Sequence, residues 1–196
     1  RYTAEALDSL QRLYPDRYKH WIELIPGRGH HIDYSPTTPW LKQHVRNPYP
    51  KHFCWENFEM DGRYRQGFYN LRVEQRSNAD SNTRTRYTLD IESNQISLAI
   101  DEVTYRTTEI DPQWGIELKF TKTYQPAQRG KVTIYLCSEL VDLDKPVTLT
   151  VNGRTAFKGR VKPDVKHLVN SCATFFDPQR LYPAAIEVDL ETLEQL

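Results

Sequence analysis

Apolar residues recur at Leu7, Leu10, Leu13 and Tyr14, the spacing of one helix face, with Thr3 placed as an N-cap and Pro15 as a stop. A short first helix is predicted. Residues 20–25 are almost continuously apolar, broken by Glu23, which suits a strand covered on both faces and predicts that Trp21, Ile22, Leu24 and Ile25 are buried. After a glycine-punctuated turn, Thr38-Pro39-Trp40-Leu41 offers an N-cap followed by proline at the first helical position, and the helix must stop before Asn47-Pro48-Tyr49-Pro50. Residues 1–47 therefore read helix, strand, loop, helix.

From Lys51 the period changes to partial alternation in short runs at 52–58, 67–75, 84–92, 95–101, 115–121, 131–137, 147–151 and 154–161, separated by turn residues. Asn152-Gly153 and Ser93-Asn94 mark two hairpins, because these residues accept positive φ. Pro163 opens a helical stretch whose Val165, Leu168, Val169 and Cys172 fall at i, i+3, i+4, i+7 and define the face expected to point inward. Residues 184–190 give a last strand, and residues 191–196 are expected to fray. The expected fold is mainly β, α+β overall: residues 1–47 form one domain fragment, and residues 48–196 an immunoglobulin-like β-sandwich.

Charge alters the picture by subtraction. Twenty-six basic and twenty-six acidic residues cancel, so no net field draws the chain onto nucleic acid or anionic lipid. Arg63, Arg65, Arg72, Arg76, Arg84 and Arg86 bias residues 63–86 locally, but Asp61, Glu74, Asp80 and Asp90 dilute them. No apolar run is long enough to cross a bilayer. Cys54, Cys137 and Cys172 are an odd, widely spaced set that reads as buried thiols rather than a disulfide framework or a metal site. The chain opens on Arg1 and runs directly into a helical pattern, without methionine or signal peptide, which reads as a fragment of a longer protein.

Candidate chemistry centres on Gly27-Arg28-Gly29-His30-His31-Ile32-Asp33. Gly27 and Gly29 would let the chain turn sharply and bring the His30 ring close to neighbouring backbone. A metal reading is disfavoured because His30, His31 and Asp33 crowd four positions and cannot easily converge on one ion. Asp33 lies three residues after His30, where loop geometry suits it to fixing the turn or capping the next helix, and His31 reads as a neighbour filling space. Asp142 and Asp144 offer too few oxygens for calcium and read as turn residues before Pro146. Trp55, Tyr64, Tyr69, Trp114 and Tyr124 allow either a platform for sugar rings or ordinary core packing.

The segments GRGHHIDY, PWLKQHVRNPYP, KHFCW and RQGFYNL, joined by ELVDLDKPVTLTVNGRTAFKGRV and DPQRLYPAAIEVDL, resemble the C-terminal portion of a family of bacterial α/β-hydrolases of esterase or prolyl-oligopeptidase type. The resemblance runs from about Tyr14 to Leu190; Asn70 stands where it leads one to expect an aromatic residue. It implies that His30 is the histidine of a Ser-His-Asp triad, that residues 1–47 are the last helix-strand-helix of a hydrolase domain, and that the β-rich remainder is an accessory domain. Helix, strand, glycine turn, histidine, helix is also the local arrangement that presents the general base in an α/β-hydrolase.

The chain has no Gly-x-Ser-x-Gly around any serine, so the nucleophile and the acid of such a triad would lie in an upstream hydrolase domain, and this polypeptide alone is expected to be inactive. The expected substrate is an ester or a peptide, with no cofactor or metal, and the resemblance suggests a periplasmic or cell-surface setting. A different class remains open, a non-catalytic sandwich that binds a glycan or a protein. A stand-alone structural protein, dimerising through residues 20–25, is a third reading.

Overall fold

The structure is a computed structural model; it describes residues 2–15, 18–23, 25–27, 29, 33–78 and 83–193, with backbone only at Tyr2. The chain divides into two compact units, Arg1–Arg46 and Asn47–Leu196.

In the first unit, helix α1 spans Tyr2–Leu13 and helix α2 spans only Thr37–Leu41. Helix α2 has Pro36 rather than Thr38 at its N-cap, and Pro39 sits within its first turn, where a missing N–H leaves no carbonyl unsatisfied. The strand expected at 20–25 does not form among the described residues, and Trp21, Ile22 and Ile25 are exposed rather than covered; Leu24 lies outside the described residues. A strand needs a neighbour to take its backbone N–H and C=O groups, and among the described residues no strand of this unit supplies one. No described residue from Thr3 to Arg46 is buried.

The second unit is mainly β, with two sheets sharing one core. One sheet contains β1 (His52–Asn57), β4 (Arg84–Glu92), β5 (Gln95–Ile110), β6 (Glu117–Pro126), β8 (Val147–Val151) and β9 (Arg154–Gly159). Its order is β1-β4-β5-β8-β9, with β6 paired to the later part of β5. The other sheet is antiparallel, in the order β10 (Ala184–Asp189), β7 (Lys131–Leu136), β3 (Leu71–Gln75), β2 (Gly67–Phe68). Alternation does what it predicts: Phe53, Trp55, Tyr87, Leu89, Ile91, Ile96, Leu98, Leu149 and Val151 from one sheet face Leu71, Val73, Val132, Ile134, Ile186 and Val188 from the other. The strand order differs from the four-plus-three arrangement of a constant-type immunoglobulin domain, and β5 runs parallel to β8 over Gln95–Leu98.

Both predicted hairpins form. Asn152 (φ 48°) and Gly153 (φ 77°) make the β8–β9 turn, and Ser93 (φ 54°) stands in the β4–β5 turn. Asn152 does more than turn the chain. Its Oδ1 accepts from Ile100 N at 2.8 Å, and its Nδ2 donates to Ile100 O and Ala127 O, both at 3.1 Å. Asn94 acts similarly at the opposite loop, donating to Asp142 O at 2.8 Å and accepting from Asp142 N at 2.9 Å.

Helix α3 (Val165–Phe175) begins at Asp164, whose carboxylate accepts from Lys166 N at 2.9 Å. Its buried face is not the predicted one. His167 and Ser171 are buried, whereas Val165 (71% exposed), Val169 (60%) and Leu168 (36%) face outward, and Cys172 is exposed. Two contacts set this orientation. Ser171 Oγ donates to Leu168 O and accepts from Tyr182 N, both at 3.1 Å, while Phe175 packs edge-on against Tyr135 and Tyr182. Gly67 permits the approach, since a Cβ there would lie 2.7 Å from the Phe175 ring.

Candidate functional site

The turn after residue 25 is built as its composition implies, with Gly27 at φ 74°. Among the described residues nothing lies within 4 Å of an ideal Cβ at Gly27 or Gly29. Asp33 Oδ1 accepts from Ser35 N at 2.9 Å, an Asx turn, and hydrogen bonds from Ser35 hold its carboxyl below the usual carboxylate range. Asp33 thus fixes the turn. His30 and His31 lie outside the described residues.

Two histidine–aspartate pairs exist that the sequence did not single out. His20 Nε2 meets Asp8 Oδ1 at 2.9 Å while Nδ1 meets Tyr18 O at 2.8 Å, and these contacts, the backbone one first, raise the imidazole above its ordinary value. His52 Nδ1 meets Asp90 Oδ1 at 2.6 Å across β1 and β4. Among the described residues no serine hydroxyl hydrogen-bonds to a histidine, so neither pair forms a nucleophile–base couple. Among the described residues no group of three or more histidine, cysteine or acidic side chains could hold a metal ion. Asp142 Oδ1 accepts from Asp144 N at 3.1 Å and its carboxylate pairs with Lys145, which makes it a turn residue.

The aromatic residues that could form a platform are dispersed. Trp55 is in the core, stacked with Phe68 and Tyr87; Tyr69 packs against Phe53 and Phe68; Trp114 is 70% exposed beyond the end of β5. Asn70 is buried and donates from Nδ2 to Tyr135 O at 2.9 Å, so this position serves the sheet by hydrogen bonding rather than by a ring.

On the outward face of the larger sheet, the arginines sort into a ladder with aromatic rungs. Arg86 lies 3.7 Å from the Tyr124 ring centroid and pairs with Asp101 at 2.7 Å; Arg84 lies 4.4 Å from that of Tyr105 and pairs with Glu56 at 3.1 Å. Lys122 meets Glu56 at 2.6 Å. Burial pushes the Glu56 carboxyl up, but the hydrogen bonds from Lys122 and Arg84 outweigh it and hold the group below its usual range. This ladder is internally paired.

A different situation holds beside β3. A cleft of about 610 Å³ is lined by Tyr64, Arg65, Gln66, Arg76, Arg129 and neighbouring residues of β3, and a second depression of about 570 Å³ shares Tyr64, Arg65 and Gln66 and adds Arg63. A bulge between Val73 and Gln75 opens the sheet edge here. Gly130, at φ 122°, brings Arg129 alongside: an ideal Cβ at residue 130 would lie 3.1 Å from Gln75 O and 3.3 Å from Ser77 N. Arg76 stacks on Tyr64, 3.3 Å from the ring centroid, and donates to Thr83 O at 3.1 Å.

No helix among the described residues is long and apolar enough to cross a membrane. No protein-family model, no curated protein and no solved structure matches the chain.

Proposed function

We propose that residues 1–47 are the histidine-bearing end of a serine hydrolase domain and that the β unit is its accessory domain. One observation carries the reading beyond resemblance. Residues 3–46 contain no buried residue among those described, yet Leu13, Trp21, Ile22, Ile25, Tyr34, Leu41 and Val45 are all at least 40% exposed. Uncovered apolar surface of that extent supports a covering partner for this segment, and further polypeptide is the partner this reading assigns; the same exposure counts against the expectation that the β unit or a second copy covers Trp21, Ile22 and Ile25. In this reading His30 takes the proton from an upstream serine as it attacks an ester or peptide carbonyl, then returns it to the leaving group.

The test compares turnover of p-nitrophenyl esters and proline-containing peptides by a longer parent polypeptide and by its His30→Gln form. A fall of three or more orders of magnitude is expected on the scale of triad deletions; undiminished turnover would exclude His30 from the chemistry.

A second reading concerns the sandwich alone, as a binding module for a glycan, periplasmic or at the cell surface. The groove beside β3 favours it, because it combines ligand-sized volume with the cationic side chains of Arg65 and Arg129. Retained saccharide binding after deletion of residues 1–46 would support this; loss of all binding with the fold intact would oppose it.

A further inference from the structure

The two depressions that share Tyr64, Arg65 and Gln66 form a groove bordered by Arg63, Arg65, Arg76 and Arg129. The one acid among their described lining residues is Glu74, and it is committed elsewhere: its Oε1 pairs with Arg72 Nε at 3.1 Å and accepts from Thr133 Oγ1 at 3.1 Å. The guanidinium groups of Arg63, Arg65 and Arg129 make no ion pair or hydrogen bond with any described residue, and the amides of Gln66 and Gln75 are equally uncommitted. The described lining of the groove thus presents positive charge together with neutral donors and acceptors.

We propose that this groove binds an acidic oligosaccharide, with the carboxylate of a uronic acid held between Arg65 and Arg129 and the ring hydroxyls taken by Gln66 and Gln75. The proposal rests on the binding-module reading of the sandwich and adds the ligand's chemistry. Guanidinium forks match a carboxylate in a planar, two-point geometry that a point charge does not. A volume of about 610 Å³ lies within the ordinary range of small-ligand sites, and the mixture of amides and guanidinium groups suits a hydroxylated ligand better than an apolar one. Single-stranded nucleic acid fits less well, since bases need open aromatic faces and the groove's Tyr64 already stacks with Arg76 at 3.3 Å.

Two features of the backbone build the site rather than leaving it to chance. The bulge between Val73 and Gln75 widens the end of β3, and the close approach of Gly130 to Gln75 O fixes where Arg129 emerges. Arg65 is anchored from below, where Asn57 Nδ2 donates to its carbonyl at 2.9 Å.

The experiment is calorimetric titration of the full chain with digalacturonate, with the neutral disaccharide of the same linkage, with inorganic phosphate and with a short oligothymidylate. Digalacturonate is expected to bind, more weakly as salt rises. The Arg65→Gln/Arg129→Gln double variant should weaken it by about ten-fold or more, while Arg106→Gln, on the distant β5 segment, leaves it unchanged; thermal melting confirms that each variant is folded. The proposal is overturned if the double variant binds normally, or if phosphate or oligothymidylate binds at least as tightly. Equal binding of the neutral disaccharide overturns the acidic specificity while sparing the binding-module reading. Absence of binding to either disaccharide overturns both.

Discussion

Replacing Gly130 by alanine tests the backbone geometry that the groove depends on. Two costs act together. The residue sits at φ 122°, outside the regions an L side chain adopts comfortably, which costs on the order of 1–3 kcal/mol. The added Cβ would lie 3.1 Å from Gln75 O and 3.3 Å from Ser77 N, atoms of backbone that cannot rotate aside. Forced overpacking of this kind costs roughly 1–3 kcal/mol more. The expected loss is about 2–6 kcal/mol, or roughly 4–24 °C in Tm at about 2–4 °C per kcal/mol for a unit of this size. Gly153→Ala is the matched control: φ is 77° but nothing lies within 4 Å, so it carries only the backbone term and should cost about 1–2 kcal/mol. Urea unfolding followed by circular dichroism reads both. If the two variants lose the same stability, the contact with β3 contributes nothing and the account of how Arg129 is positioned is wrong.

Other predictions follow from single side chains. Asn152→Ala removes three hydrogen bonds and takes the Asn152 partner from Ile100 N and Ala127 O in a part-buried setting, while Ile100 O keeps its bond from Ala127 N at 2.9 Å, so it should destabilise by roughly 1–3 kcal/mol, measured by chemical unfolding. Burial, together with a hydrogen bond to Glu139, pushes the Cys137 thiol up to about 12, so in the native protein Ellman's reagent should titrate Cys54 and Cys172 quickly and Cys137 only after unfolding. Glu56 is held below its unfolded value, so its stabilising contribution is present above that value and is lost as pH falls through the folded one. Acid unfolding of Glu56→Gln should accordingly show a shallower loss of stability than the parent below about pH 4.5. Asp8→Asn should bring His20 down towards the ordinary imidazole range in an NMR titration.

The β strands were legible because each buries one face, and alternation writes that directly into the residues: β1 reads His52 out, Phe53 in, Cys54 out, Trp55 in. Asn152-Gly153 was legible because the turn needs two positive φ values, and these residues supply them. Residues 20–25 misled because an apolar run records the wish to be buried but not the presence of a partner strand. Helix α3 misled for a related reason. Its apolar stripe at Val165, Leu168 and Val169 is real, but the surface beneath the helix is crossed by Tyr182 N and carries the Tyr135 ring, and Ser171 and Phe175 match those better. The groove was hidden because its arginines come from separate segments. In sequence, Arg63 through Arg86 form one basic stretch, whereas in space Arg72 serves Glu74, Arg84 and Arg86 join the outer ladder, and Arg65 lines the same cleft as the remote Arg129.

The most direct test of the central claim is stoichiometric labelling by a fluorophosphonate, which reacts only with a serine already activated by its histidine. Intact mass spectrometry of the longer parent polypeptide should show one adduct per chain, slowed by orders of magnitude in the His30→Gln form, while the present chain alone takes up none. Equal labelling of the parent and the variant, or an adduct on the present chain, would contradict the assignment of His30 to a triad completed from elsewhere.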